Sequence, residues 1–257
     1  MKRIPVRTRG FGAEVGTPAV GDLADWVERR KGRGGDLLAY RIERSAALQD
    51  GVDFPAAGGL FYGERVLECL AGVVDGAVTG EVGSVPDAAL DDLRGWKKNA
   101  WISLPAPSVL GLEDRYFGDP EEAEEEVCRA FRRLLREMRD AGAGGHVLLI
   151  DEANEVELDL LTGTRCIVFP LTRDSSTLEA VLEHQHLLPL APAELRLAAD
   201  LVDRYEIREL SLLHPDHQAL GEALDFFDPD EISAGGYTKA GEEEAWAALL
   251  EEAYVLK

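Results

Sequence analysis

Between Ala141 and Asn154 the chain reads AGAGGHVLLIDEAN. A glycine-rich turn that ends a helix gives way to four apolar residues, Val147 to Ile150, and the run stops on Asp151, Glu152 and Asn154. An apolar run this short, bounded by turn residues, reads as a buried strand. Acidic groups at its carboxyl end stand where open α/β sheets and α/β barrels place their chemistry. The same succession of helix, turn, apolar run and polar tip recurs along most of the sequence. A chain built this way must form parallel strands covered by helices.

Strands are expected from Arg3 to Arg7, Leu37 to Ile42, Gly76 to Thr79, Ala100 to Leu104, Val147 to Ile150, Cys166 to Phe169, Glu209 to Leu213 and Glu231 to Ala234. Shorter apolar runs at Gly58 to Tyr62 and Leu187 to Leu190 complete the set. Helical spacing falls between them, for example from Val20 to Arg30, Glu64 to Val74, Pro192 to Tyr205 and Gln218 to Phe226. The best helix is capped by Asp119 and starts on Pro120. Glutamates load its positive end, arginines its negative end, and Val127, Phe131, Leu134, Leu135 and Met138 form its buried stripe. Its acid run is therefore helix electrostatics, not a metal site. A (β/α)8 TIM-type barrel, regular or irregular, fits eight or nine strands in 257 residues. An open doubly wound parallel sheet is the alternative. The expected organisation is one α/β domain over 1–257, with 1–35 as an N-terminal extension of short strand, loop and helix. Within it KGRGG, from Lys31 to Gly35, is a connector: it precedes a strand, whereas phosphate-cradling loops follow one.

Composition excludes several function classes. The formal net charge is -22, from 49 acidic and 27 basic residues, and Lys occurs only six times. Without a basic stripe to neutralise phosphates, a nucleic-acid partner is not expected. The balance resembles that of proteins from salt-loaded cytoplasms, whose dense carboxylates hold water while salt screens their repulsion. No apolar stretch approaches the roughly 20 residues that cross a bilayer, and the basic start lacks the apolar segment of a secretory signal, so a cytoplasmic, non-membrane protein is expected. Cys69, Cys128 and Cys166 are odd in number and far apart, which suits buried thiols better than disulfides or a zinc knuckle.

Four constellations carry candidate chemistry. VLLIDEAN looks like a Walker B segment, but the G-x-x-x-x-G-K-[ST] loop that reading needs is missing from the sequence. In a barrel, Asp151 or Glu152 would point inward near the mouth as a half-buried general base, with Asn154 beside it; capping of the next helix is the competing role. Leu213-His214-Pro215-Asp216-His217 puts two imidazoles at another strand end, with His214 a proton carrier and His217 a substrate contact, though Asp216 could simply cap a helix. His184, His186 and His146 precede strands, on the face that serves stability in barrels. After the last strand, Gly235, Gly236 and Lys239 form a candidate anion grip. Arg41, Glu81 and Arg173 fall near expected strand ends and could complete the site. The sequence thus supports a barrel enzyme acting on a small anionic metabolite by general acid-base chemistry, as lyase, isomerase or hydrolase. A non-catalytic binding or scaffold protein is the alternative. No metal set is read from it, and neither cofactor nor oligomeric state is specified.

Overall fold

Apolar runs flanked by glycine and capped helices do alternate in the computed structural model, which describes residues 2–30, 35–94, 99–163 and 165–256. In chain order the elements are β1 (Arg3–Pro5), β2 (Arg7–Ala13), α1 (Val20–Arg29), α2 (Leu37–Leu48), β3 (Ala56–Gly58), α3 (Gly63–Glu68), β4 (Leu70–Val74), β5 (Ala77–Ser84), α4 (Asp87–Leu93), β6 (Trp101–Pro105), β7 (Glu113–Asp114) and α5 (Pro120–Asp140). Then come β8 (Gly145–Ile150), α6 (Glu155–Leu161), β9 (Cys166–Pro170), α7 (Ser175–Leu182), β10 (Leu187–Leu190), α8 (Leu195–Val202), β11 (Glu209–Leu213), α9 (His217–Ala223), β12 (Ile232–Thr238), α10 (Glu244–Glu252) and β13 (Tyr254–Leu256).

Eight of these strands form two four-stranded sheets, ordered β10-β11-β12-β2 and β3-β6-β8-β9, and every pairing within them is parallel. The edges of the two sheets meet. Between β2 and β3, Arg9 forms a parallel bridge with Phe54, and the Gly10 N–H donates to the Phe54 carbonyl at 2.9 Å. Between β9 and β10 a side chain takes the part of a strand. Gln185 accepts from the Val168 N–H at 2.8 Å and donates to the carbonyls of Val168 and Leu187 at 3.0 and 2.8 Å.

Alternation along the strands divides the core. Val147 and Leu149 of β8 join Phe11, Ala56, Phe169, Leu187 and Leu213 in one cluster contributed by both parallel sheets. Leu148 and Ile150 face the other way, onto the α5 stripe of Phe131, Leu134, Leu135 and Met138. Each such side chain contributes about 1.5–3 kcal/mol by leaving water. At the amino ends of the strands, Arg9 reaches past β12 to form a paired contact with Glu209 at 2.9 and 3.1 Å, and the Ser233 hydroxyl donates to the same carboxylate at 2.7 Å. Burial works against the Glu209 anion, yet Arg9 and Ser233 hold its pKa below the usual value.

The carboxyl half follows the expected pattern and the amino half departs from it. Leu37 to Ile42 is helix α2, capped by the Asp36 carboxylate on the Ala39 N–H at 2.8 Å, not a strand. The helix expected from Glu64 to Val74 ends at Glu68, and Leu70 begins an antiparallel hairpin of β4 with β5. The stretch 1–35, expected as an extension, supplies β2, which pairs with β12. Residues 31–34 of the expected connector lie outside the described residues. The loop SVLGLEDRYFG, from Ser108 to Gly118, is built into the fold: β7 pairs with β5, and the Ser108 hydroxyl donates to buried Glu157 at 2.9 Å.

Candidate functional site

Parallel strands deliver their carboxyl ends to one end of each sheet, and the polar side chains that meet there come chiefly from the end of β2, from β12 and from α2. A register shift between Gly236 and Tyr237 re-aims β12 at its end. The Tyr237 ring stacks on Phe169, with centroids 5.6 Å apart, and Phe169 stacks on Phe11 at 4.6 Å. This aromatic column is the floor of the site.

Above it the Tyr237 hydroxyl donates to Glu14 Oε1 at 2.6 Å, and the Leu60 N–H donates to the same oxygen. Burial, then the Glu14 charge and hydrogen bond, push the Tyr237 pKa well above its ordinary value, so the phenol stays a donor. Among the described residues Glu14 Oε2 has no hydrogen-bond partner. The neighbouring backbone is close: a Cβ on Gly59 would lie 2.2 Å from Glu14 Oε1. Arg41 reaches the same place from α2. Its Nε donates to the Val15 carbonyl at 2.7 Å and its guanidinium lies over the Phe61 ring at 4.2 Å. Burial lowers the Arg41 pKa, while Glu14 and Glu64 oppose that. Among the described residues its terminal nitrogens bond to nothing.

His214 stands at the end of β11 in the left-handed region, φ 47°, a conformation that costs a non-glycine residue about 1–2 kcal/mol. Its Nε2 lies 3.1 Å from the Tyr237 N–H and 2.8 Å from the Tyr237 carbonyl, so one tautomer accepts and the other donates. Arg173, after β9, is held by Glu194, after β10, at 3.0 Å.

The expected site residues therefore part company. Arg41, His214 and Arg173 stand at strand ends of this rim, although Arg41 arrives on a helix. Asp151 and Glu152 follow β8 as expected, but both are exposed instead of half-buried, and neither bonds to another described residue. Asn154 is occupied: its Oδ1 accepts from the Glu157 N–H at 3.0 Å to cap α6, and its Nδ2 donates to Glu124. His217 is occupied too, bonded to Glu252 at 2.5 Å and stacked on Tyr254. Glu81 is exposed on β5 of the hairpin, away from the eight parallel strands. Gly235 and Gly236 are explained by packing, since a Cβ would meet Ser211 Oγ at 2.4 Å in the first case and the Trp246 ring at 2.8 Å in the second. Lys239 is exposed, its N–H donating to Glu242 at 2.8 Å to start a turn. Sequence reasoning missed Glu14, which follows a glycine-containing segment without strand periodicity, and Tyr237, which lies between Gly236 and Lys239 beyond the expected end of the last strand. Among the described residues no three His, Cys, Asp or Glu converge as a metal site, and no helix is long and apolar enough to cross a membrane.

No protein-family model and no curated protein matches the chain. Solved structures do. One is a Listeria monocytogenes protein provisionally described as a vitamin-B12 independent methionine synthase, with TM-score 0.60, 15% identity and 96% of each chain covered. Another is a B12-independent methionine synthase from a Shewanella species in complex with selenomethionine, with TM-score 0.60, 13% identity, and 96% of this chain and 97% of that one covered. At such identity the likeness is one of fold.

Proposed function

We propose that the chain is a cytoplasmic enzyme whose two parallel sheets close into one irregular (β/α)8 barrel. Its site is the carboxyl mouth, and its substrate a small anionic metabolite. Strand order supports closure: β2, β3, β6, β8, β9, β10, β11 and β12 follow one another in sequence, without the reversal of a doubly wound sheet. The bridge at Phe54 and the Gln185 contacts join the remaining edges. That both fold neighbours are described as enzymes, and that one holds an amino acid, supports a small-molecule substrate.

The observation that carries the reading is the Glu14 carboxylate, fixed through Oε1 by Tyr237 and Leu60 while Oε2 stays free, with Arg41 held at the adjacent Val15 carbonyl and within reach of the Glu14 charge. A positioned carboxylate with one free oxygen is a general base, and a guanidinium next to it holds a substrate carboxylate or phosphate. Arg41 is the anion grip and Glu14 takes the proton. Tyr237 orients Glu14, and His214, tied to the Tyr237 backbone, carries a proton at the rim. Asp151, Glu152, Arg173 and Lys239 are outer-rim groups available to the polar end of a longer substrate.

A panel of small carboxylates and phosphate esters, screened for binding and turnover, tests this. Glu14→Gln is expected to keep binding and lose at least a hundredfold in kcat, the range of one general base. Arg41→Gln is expected to lose binding. Unchanged turnover in the first, or unchanged affinity in the second, refutes the assignment. Binding without turnover in the wild type favours the non-catalytic alternative.

A further inference from the structure

The opposite end of the sheets holds a second feature, independent of the mouth. Helix α5 carries five arginines between Arg129 and Arg139. Three of them pair along the helix: Arg129 with Glu125 and Glu126, Arg133 with Glu137, and Arg136 with Asp140. The other two, Arg132 and Arg139, pair with no carboxylate among the described residues. They stand seven residues apart, two helical turns and about 10 Å along one face.

That face borders a cavity of about 330 Å³, and a third unpaired guanidinium, Arg165, enters it from the turn before β9. Thr162 and Gly163 form part of the wall, and among the described residues no carboxylate lines it. Arg139 by itself would be explained as compensation of the negative end of the α5 dipole. Arg132 lies too far from that end, and Arg165 is on no helix. In a chain with 49 acidic and 27 basic residues, three arginines around one acid-free cavity must be held together against their mutual repulsion.

We infer that this cavity, formed by Arg132, Arg139 and Arg165, binds a phosphate-bearing anion. Planar guanidinium groups match phosphate oxygens in pairs, and three of them suit an anion of more than one negative charge. The cavity has room for a pyrophosphate or a small phosphate ester, and its position on the amino-end face keeps it clear of Glu14 and Arg41.

Isothermal titration of the full-length protein with sodium pyrophosphate, at ionic strength held constant with potassium chloride, tests the inference. The wild type is expected to bind one equivalent. Arg132→Gln, Arg139→Gln and Arg165→Gln are each expected to weaken binding at least tenfold with an unchanged far-ultraviolet circular dichroism spectrum. Arg41→Gln, at the mouth, is expected to bind like the wild type. The inference is overturned if the wild type shows no heat beyond the chloride control, if folded Arg132→Gln and Arg165→Gln bind normally, or if Arg41→Gln is the variant that loses the anion. Because Arg132 and Arg165 are exposed, their replacement leaves the core untouched even where Arg139→Gln impairs folding.

Discussion

His146 is fully buried on β8, and neither of its ring nitrogens finds a partner among the described residues. Alternation puts it on the face of Leu148 and Ile150, against the end of α5. Burial first, and then the Arg139 charge, lower its pKa from 6.5 to about 3. Below pH 6.5 the unfolded chain therefore binds a proton that the folded chain refuses, so stability rises with pH. The contribution is complete above 6.5 and is lost as pH falls towards 3. Linkage puts the loss at about 2 kcal/mol by pH 5, and about 4 kcal/mol once pH reaches the folded value. Carboxylates also titrate at the acid end, so the measurement is a difference. Urea unfolding of the wild type and of His146→Leu, at pH 7.5 and pH 5 in the same salt, isolates the imidazole. Wild type is expected to lose about 2 kcal/mol more than the variant between the two pH values. Removing two unpaired buried polar atoms should also leave the variant no less stable at pH 7.5, since each such atom costs about 1–3 kcal/mol. Equal pH dependence in the two proteins would refute the reasoning, because it would mean that the ring protonates alike in the folded and unfolded chains.

Two further outcomes follow from charge. Arg65 is buried among Asp92 at 2.8 Å, Asp36 at 2.7 Å and Glu68, and the buried Tyr62 hydroxyl also donates to Asp92. Asp92→Ala leaves the guanidinium and the phenol facing an empty place, and should cost about 3–5 kcal/mol by thermal or urea unfolding, the range for breaking a buried pair; a loss below 1 kcal/mol would show that water reaches the cluster. The net charge of -22 predicts loss of structure when salt falls to tens of millimolar, because the Debye length then grows beyond the spacing of surface carboxylates. Circular dichroism unchanged by dialysis into low salt would remove the salt-adaptation reading.

The carboxyl half was legible because its strands are apolar on both faces and its helices carry their own start signals. Asp119, Asn154, Asp174 and Asp216 each cap a helix through the side chain. Those same caps explain why polar strand tips misled: three of the four directly follow strands, and a capping carboxylate or amide looks in sequence like a catalytic one. At Asn154 and Asp216 the capping role is the one the side chain takes. Leu37 to Ile42 failed as a strand for a related reason. Its apolar residues suit either state, and the Asp36 cap decides for helix.

Strand β2 shows why the best-placed site residue was hidden. It reads RTRGFGA, with glycines where a strand is usually recognised by β-branched or apolar residues. The glycines are there because other groups come too close for a side chain. A Cβ on Gly10 would lie 1.9 Å from the Gln49 amide oxygen, and one on Gly12 would lie 2.7 Å from Ser103 Oγ. Gln49 satisfies the N–H and the carbonyl of Ala56 on the neighbouring strand, and the Ser103 hydroxyl donates to the Phe11 carbonyl at 2.6 Å. Side-chain hydrogen bonds thus supplement the ladder where β2 meets β3 and β6, and the room they need erases the periodicity. Glu14 comes immediately after this strand and inherits its precise placement. Close packing of the backbone therefore positions the carboxylate and, by the same means, removes the pattern that would have revealed it.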